Sequence, residues 1–547
     1  MNNNRINSPY QLVHLIKLLS NKSNALLITD GVGVGKTISA GYVIAFHYNI
    51  LKGHVAVVCP STLVQKWRLE LRDKFGFPSI LINNPESILS MVEETTNKEG
   101  INPPRIYIVP YSLLSRARKP YLPKLSLIIF DEIHTIRNPY TKAYFSSRDL
   151  SSNTIQRIGM TATPIHNSLT DLAAEISILF PSYSFETLDA AITEIWMTKR
   201  THLLHPWSTR FLKDKLSIHF TKRTINNRLI RFPREYTSDV EDMIDSYLVN
   251  QRNTNNIGRL NAITKFRLAS SSPFAFFESF NVKPKVNIVD TKANELLKLL
   301  GSAPDERWIV FCEFVQTANY LARIVQDRPV YLMTGESNTE ERESVTRKFR
   351  DNDNSVLILT SVGSEGLDFQ VSSKLVNYDL HWNPMVLEQR IGRIDRVGQV
   401  KEEINIYNFI VDGSIDSAII STLGKKLALI ANTFADPGMI IKKNNTLDNS
   451  IATGRLLLSD ERMFQQEKMF ADRLISSELL ARNLPTLDYE LARALPNELC
   501  NIEEWPMNPS EWENGFPLLP KGPSVALWTA QLSNSVDDLT SLLNYYK

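Results

Sequence analysis

Short aliphatic runs alternate with mixed-polarity stretches twice along this chain. The first set is NALLIT (24–29), HVAVVCP (54–60), RIYIVP (105–110) and LSLIIF (125–130). Runs this short and this apolar predict strands buried on both faces, and the intervening stretches predict the helices of βαβ units. After Pro181 the rhythm stops, and it returns with RWIVFC (307–312), PVYLMTG (329–335), SVLILTS (355–361), KLVNYDL (374–380) and INIYNFIV (404–411). The fold class expected is therefore α/β, with two parallel-sheet lobes at 1–181 and 286–430. Between them, 182–285 lacks strand-like runs and predicts a helical, basic insertion. Residues 431–547 predict a helical accessory tail, folded because it carries Trp505, Trp512 and Trp528. Within it, 460–484 places apolar side chains near helical spacing and is expected to pack on the second lobe.

Polar motifs follow three of these runs. DGVGVGKT (30–37) comes after a strand and opens a helical stretch. Gly31, Gly33 and Gly35 let backbone N–H groups crowd around phosphate oxygens, Lys36 reaches the β- and γ-phosphates, and Thr37 ligates Mg²⁺. Asp30 stands where the generic phosphate loop has its first glycine, so a plain glycine turn is the competing reading. FDEIH (130–134) ends the fourth run, at the carboxyl edge where open α/β sheets bind ligands. There Asp131 would hold Mg²⁺ and Glu132 would activate water, or else Glu132 caps the next helix. Thr161 and Thr163 of MTATP (160–164) can bond toward that acid pair, unless they form a simple Thr-Pro turn. Gln11, about one helix upstream of the loop, can read an adenine edge or can be a surface glutamine. In QRIGRIDRVGQ (389–399), Arg393 and Arg396 stand three apart and would project from one helical face. A phosphate loop, an acid pair and a distant arginine pair are the working parts of an NTPase that closes between two lobes.

Charge changes the picture only locally. The chain has 547 residues, 43% hydrophobic and 22% charged, with a net charge of +2. From residue 441 onward 10 Lys/Arg face 15 Asp/Glu, a balance of −5 that leaves +7 for residues 1–440. Between Lys199 and Arg234, ten Lys/Arg meet one acid, Asp214, with Trp207, Phe211, Phe220 and Phe232 interleaved. Such a stretch fits a surface for phosphates and bases, and equally a solvated pair of helices. Cys59, Cys312 and Cys500 are too few and too scattered for a disulfide framework or zinc site, and suit a reducing compartment. No apolar run is long enough to span a bilayer, so no membrane partner is expected.

Together these motifs resemble helicase superfamily 2, and within it the Swi/Snf family of double-stranded-DNA translocases. VCPSTLVQKWRLEL (58–71), with Pro60, Leu63, Gln65, Trp67 and Glu70, resembles that family's second motif. TATPIHNSLTDL (161–172) resembles its third, SVGSEGLDFQ (361–370) its fifth, and NYDLHWNPMVLEQRIGRIDRVGQ (377–399) its sixth. RLASSSPFAF (267–276) and the Glu365–Gly366 pair are most similar to the bacterial, RapA-like branch. The resemblance covers roughly residues 8–420 and implies two RecA-like lobes, ATP and Mg²⁺ as cofactors, and double-stranded DNA as the partner. It also implies that Gln389 meets the γ-phosphate region and that Arg393 and Arg396 are arginine fingers. By the same resemblance Gly363, Ser364 and Gly366 approach the nucleotide or the DNA backbone. The acid box reads DEIH where DEAH or DEGH is commoner, and nothing resembles an added targeting domain. The expected activity is an ATP-driven motor on duplex DNA, in the cytoplasm of a bacterial or archaeal-type cell. A strand-separating helicase is the first alternative. A nucleotide-gated DNA-binding subunit, for example of an anti-phage assembly, with a protein partner on the tail, is the second.

Overall fold

A computed structural model of the chain describes residues 8–20, 24–96, 103–114, 123–162, 169–213, 216, 221–250, 264–265, 267–283, 289–360, 367–381, 384–396, 399–411, 488–495, 500–502, 505 and 523–546. The chain forms two compact units, Met1–Ile218 with Ser476–Lys547, and His219–Ile475.

The first unit is built on strands β1 (Ala25–Ile28), β2 (Val55–Cys59), β3 (Ile80–Leu81), β4 (Ile106–Pro110), β5 (Leu125–Asp131), β6 (Thr154–Met160) and β7 (Ser208–Thr209). Their order is β3-β4-β2-β5-β6-β1-β7, and every described pairing is parallel. Side chains alternate between faces with period two. Leu26, Ile28, Val55 and Val57 enter one core with the helices Tyr10–Ser20 and Lys36–Ala45, whereas Ala25, Leu27, Ala56 and Val58 enter a second with Leu169–Leu179 and Phe185–Met197. Both faces are covered, which is why these strands are uninterrupted aliphatic runs.

The second unit holds β8 (Lys222–Ile230), β9 (Trp308–Cys312), β10 (Val330–Met333), β11 (Val356–Thr360), β12 (Lys374–Asn377) and β13 (Glu403–Val411), in the order β10-β11-β9-β12-β13-β8, again parallel. Two parallel-sheet lobes are thus present as the apolar runs predicted.

Two expectations need correction. Residues 182–285 do not lack strands. They contain β7, at the edge of the first sheet, and β8, which pairs with β13 over nine residues from Lys222↔Glu403 to Ile230↔Val411. β8 reads KRTINNRLI and buries only Ile225 and Ile230 fully, because an edge strand leaves much of its length to solvent. Nor is the tail wholly separate. Its helices Asp488–Ala494 and Pro523–Tyr546 belong to the first unit, where Tyr489, Leu491, Trp505 and Trp528 enter the core of the 10–20 and 36–45 helices. Residues 460–484 lie outside the described residues.

Candidate active site

The loop between β1 and the Lys36–Ala45 helix has the geometry of an anion cradle. Gly33 (φ 78°) and Gly35 (φ 95°) adopt left-handed backbone that a side chain would strain. Gly35 precedes the helix without a side-chain cap, so the helix start can offer N–H groups to a phosphate. Lys36 Nζ donates to the carbonyls of Asp30 (2.9 Å) and Gly31 (3.3 Å), lying back over the loop. Thr37 follows on the first turn, half-buried.

Asp30, the departure from the generic loop, is fully buried. Its Oδ1 accepts from the Phe211 N–H (2.9 Å), and its Oδ2 lies 2.9 Å from His14 Nε2. Around it, the Gly31 N–H donates to Phe211 O (2.8 Å) and Arg210 donates to Thr29 O (3.0 Å). The loop is therefore tied at its base to the strand after Trp207. Gln11 is not a surface residue. It is 3% exposed, and a Cβ on Gly35 would stand 2.9 Å from its Nε2. The Tyr10 hydroxyl beside it donates to Val34 O.

Asp131 ends β5, separated from β1 only by β6. Its Oδ2 accepts from Trp67 Nε1 (2.8 Å), its Oδ1 from the Glu132 N–H (3.0 Å), and its carbonyl from the Tyr111 hydroxyl (2.9 Å). Burial, then repulsion from Glu132, pushes the Asp131 carboxyl up to about 6, against the lowering pull of Trp67, Lys66 and Lys36. Glu132 has a left-handed backbone (φ 48°) and makes no capping bond to the short helix after it, which removes the capping alternative. A non-glycine residue held there is a strained conformation of the kind found at functional sites. Its Oε2 lies 3.3 Å from His134 Nδ1, which is also 3.1 Å from the buried Thr161 hydroxyl. Thr161 thus reaches the acid pair through His134, while Thr163 lies outside the described residues. Among the described residues no three His, Cys, Asp or Glu side chains converge to hold a metal. One carboxylate and one hydroxyl are nevertheless a suitable protein share for Mg²⁺, whose other ligands are phosphate oxygens and water.

In the second unit, Gln389 lies on the Pro384–Ile391 helix, which stops before the arginines. Arg393 and Arg396 are therefore not on one helical face. They occupy the turn that follows, and a neighbouring segment fixes both. Arg393 Nη1 donates to Leu367 O (3.3 Å); Arg396 pairs with Asp368 and donates through Nε to Gly392 O (3.1 Å). Gly363, Ser364 and Gly366 precede that segment, outside the described residues.

The basic stretch 199–234 is not one surface. Trp207 and Phe211 are core residues, Arg210 is 2% exposed, and the stretch is divided between the two units. Arg223 is committed to carboxylates: Nε lies 2.7 Å from Asp395 Oδ2, and Nη1 2.9 Å from Glu388 Oε1. Burial alone would lower its pKa, but Glu388 and Asp395 raise it overall. Arg210 and Arg223 answer groups inside the protein, whereas Lys199, Arg200, Lys222, Arg228, Arg231 and Arg234 are exposed, so the stretch is split between internal and solvent-facing charges.

Several residues escaped the sequence reading. Trp67 was legible as a motif residue but not as the donor to Asp131. Tyr111 and His134 gave no signal beyond proximity to the acid box. Asp30 was flagged only as a departure, and Asp488 not at all. Asp488 is a fully buried carboxylate that meets Lys17 (2.8 Å), His205 (2.9 Å) and Trp528 Nε1 (3.1 Å). Burial by itself would raise its pKa; Lys17 and His205 outweigh it and hold the carboxyl well below the ordinary range.

Comparison with known proteins concerns the chain as a whole. Residues 10–231 match the SNF2-related domain, and residues 291–398 match the helicase conserved C-terminal domain. The chain is 25% identical to the uncharacterized ATP-dependent helicase YqhH of Bacillus subtilis, over 80% of this chain and 81% of that protein. It is 23% identical to the RNA polymerase-associated protein RapA of Vibrio atlanticus, over 84% of this chain and 54% of RapA. The chain thus spans about half the length of that relative. Among solved structures, the Sulfolobus solfataricus SWI2/SNF2 ATPase core in complex with dsDNA aligns with a TM-score of 0.37 and 18% identity, over 85% of this chain and 97% of that one.

Proposed function

The chain belongs to the Swi/Snf-related ATPases, and we propose that it hydrolyses ATP to translocate on, or remodel, double-stranded DNA and its bound proteins. The observation that carries this reading is the joint placement of Lys36 and Asp131 at the carboxyl edge of one parallel sheet, one strand apart.

In this reading Gln11 and Tyr10 set the adenine side of the pocket. The N–H groups around Gly31, Gly33 and Gly35 receive phosphate oxygens, and Lys36 exchanges two backbone carbonyls for the β- and γ-phosphates. Thr37 and Asp131 hold Mg²⁺. When bound, that ion would supply positive charge to offset what develops on the phosphates. Trp67 keeps one Asp131 oxygen oriented by its hydrogen bond. Glu132 orients the attacking water and takes its proton, beside His134. Gln389, Arg393 and Arg396 stabilise the transferring γ-phosphoryl, and Gly366 supports the nucleotide or the DNA backbone. DNA binding is assigned to the exposed basic residues of 199–234, Lys222 among them, with the loops after Pro60 and Pro110 as the alternative. We also propose a cytoplasmic location; no described helix is long and apolar enough to cross a membrane. For a protein partner on the tail, the exposed Leu527 and Tyr545 offer contact points.

The test is the ATPase rate without nucleic acid, then with single-stranded DNA, duplex DNA and RNA. Stimulation chiefly by duplex DNA, without strand displacement on a forked substrate, is the expected result. The name of the B. subtilis relative keeps one alternative in view, and efficient separation of the fork would favour that strand-separating helicase. A rate unmoved by any nucleic acid would favour a nucleotide-gated subunit.

A further inference from the structure

Arg223 opens β8 one residue after Lys222, only a few residues beyond the boundary between the two units at Ile218. Its guanidinium is forked between two carboxylates within the sixth motif. Glu388 immediately precedes Gln389, and Asp395 stands between Arg393 and Arg396. Four contacts define the clamp: Nη1 to Glu388 Oε1 (2.9 Å), Nη2 to Glu388 Oε2 (3.3 Å), and Nε and Nη2 to Asp395 Oδ2 (2.7 and 2.6 Å). Thr221, two residues earlier, donates to the remaining Asp395 oxygen at 3.0 Å.

The chemistry of this arrangement is specific. Asp395 is 1% exposed, so its charge must be answered inside the protein. A planar fork answers two carboxylates in fixed directions, which an ammonium point charge cannot do. The backbone of the turn is bonded to the end of the helix, Gly392 N–H to Glu388 O (2.8 Å) and Asp395 N–H to Ile391 O (2.9 Å), and the ties of Arg223 to Glu388 and Asp395 clamp the same two points of the turn through their side chains. Arg393 and Arg396 are held from the other side by Leu367 and Asp368.

We propose that Arg223, assisted by Thr221, is a positioning residue for hydrolysis: it fixes the Glu388–Asp395 turn so that Arg393 and Arg396 are aimed at the γ-phosphoryl. The role is distinct from that of Arg393 and Arg396, since Arg223 acts through the carboxylates and not on the nucleotide. The proposal rests on the ATPase reading above.

The test uses the full chain. Arg223→Lys keeps the charge and loses the fork, while Arg223→Ala loses both. Turnover should fall about 10²-fold in Arg223→Ala and about tenfold in Arg223→Lys, with the KM for ATP little changed. In an Arg393→Ala background, Arg223→Lys should cost almost nothing more, because both changes disable one aimed group. Hydrogen exchange of the 392–396 amides should rise in Arg223→Lys, a readout that needs no ATPase and so separates failure of the clamp from failure of the motor reading. If Arg223→Ala does not fold, Arg223→Lys carries all three measurements. Wild-type turnover in Arg223→Lys overturns the proposal, as does an equal further loss in the Arg393→Ala background. So does weaker duplex binding with a shallower salt dependence at unchanged nucleic-acid-free turnover, which would return Arg223 to DNA.

Discussion

The first unit braces its phosphate loop with side chains sealed in the core, whereas the second braces its arginine turn with a clamp at a sheet edge. Asp30, His14, Lys17, His205 and Asp488 are all essentially without exposure. Arg223 and Glu388, by contrast, keep 15% and 20% of their side-chain surface. A buried charge without its partner is strongly destabilising, so the first bracing is coupled to folding itself. The Glu388 arm of the clamp is partly solvated and can be loosened at modest cost in stability, whereas the Asp395 arm is sealed, so Arg223→Lys, which keeps a charge beside Asp395, should appear chiefly in rate. The difference suits the proposed tasks. A phosphate loop works best preformed, while the role proposed for the arginines needs only that they be aimed.

The sharpest break in this comparison comes from the arginines. Arg393→Ala or Arg396→Ala should cut turnover by about 10³–10⁵ while leaving nucleotide affinity nearly intact, and the double variant should fall little below the worse single one. Single-turnover rates and equilibrium nucleotide binding measure the two effects separately. Losses that multiply strictly would count against a shared transition state.

Lys36→Ala should lower turnover by at least about 10²–10³ and weaken ATP binding as well, with an unchanged melting temperature. In the free loop its amine donates to the carbonyls of Asp30 and Gly31. Glu132→Gln is the companion: ATP should still bind, held by Asp131 and Lys36, while hydrolysis stops. Loss of both in Glu132→Gln would mean that the acids have other roles.

Asp488→Ala should act on folding and not on chemistry. Leaving Lys17 buried without its carboxylate should cost the first unit about 3–5 kcal/mol, seen as an earlier denaturant transition. The sign with pH follows from the lowered pKa of Asp488 in the fold. The stabilisation is present above the ordinary carboxylate range and drains away as pH falls through and below it. Asp488→Asn should therefore flatten the acid side of the stability curve. An unchanged transition would show that the tail is not part of the first unit's cooperative fold.

The smallest effect expected is that of Trp67→Phe. Loss of the hydrogen bond to Asp131 removes about 1.5–3 kcal/mol of support for that charged carboxylate. A raised Mg²⁺ requirement for ATP binding, with little change in stability, would report it.

How much of this was legible in advance varied with environment. β1, β2, β4 and β5 announced themselves as aliphatic runs because both of their faces are covered. β8 did not, because an edge strand with polar residues such as Thr224, Asn226 and Asn227 carries no buried period. Its basic residues then suggested a phosphate surface, and nothing in the spacing said that Arg223 faces Glu388 and Asp395, 165 and 172 residues away. The helical pattern around Arg393 failed for a local reason: Gly392 and the turn after it end the helix at Ile391.

What the sequence determined by itself is the α/β class and the two sheet lobes, which depend on local periodicity that neighbouring residues fix along the chain. It nominated Lys36, Thr37, Asp131 and Glu132 by their place after strands, and Gln389, Arg393 and Arg396 by resemblance. Only the tertiary structure decided that Gln11 packs on the phosphate loop, that Trp67 orients Asp131, that Arg223 serves the arginine turn, and that Asp488 from the tail joins Lys17, 471 residues earlier. The physical reason is that a buried charge or donor takes its partner from whatever side chain the packed core brings within hydrogen-bonding distance. Separation along the chain does not enter into that choice.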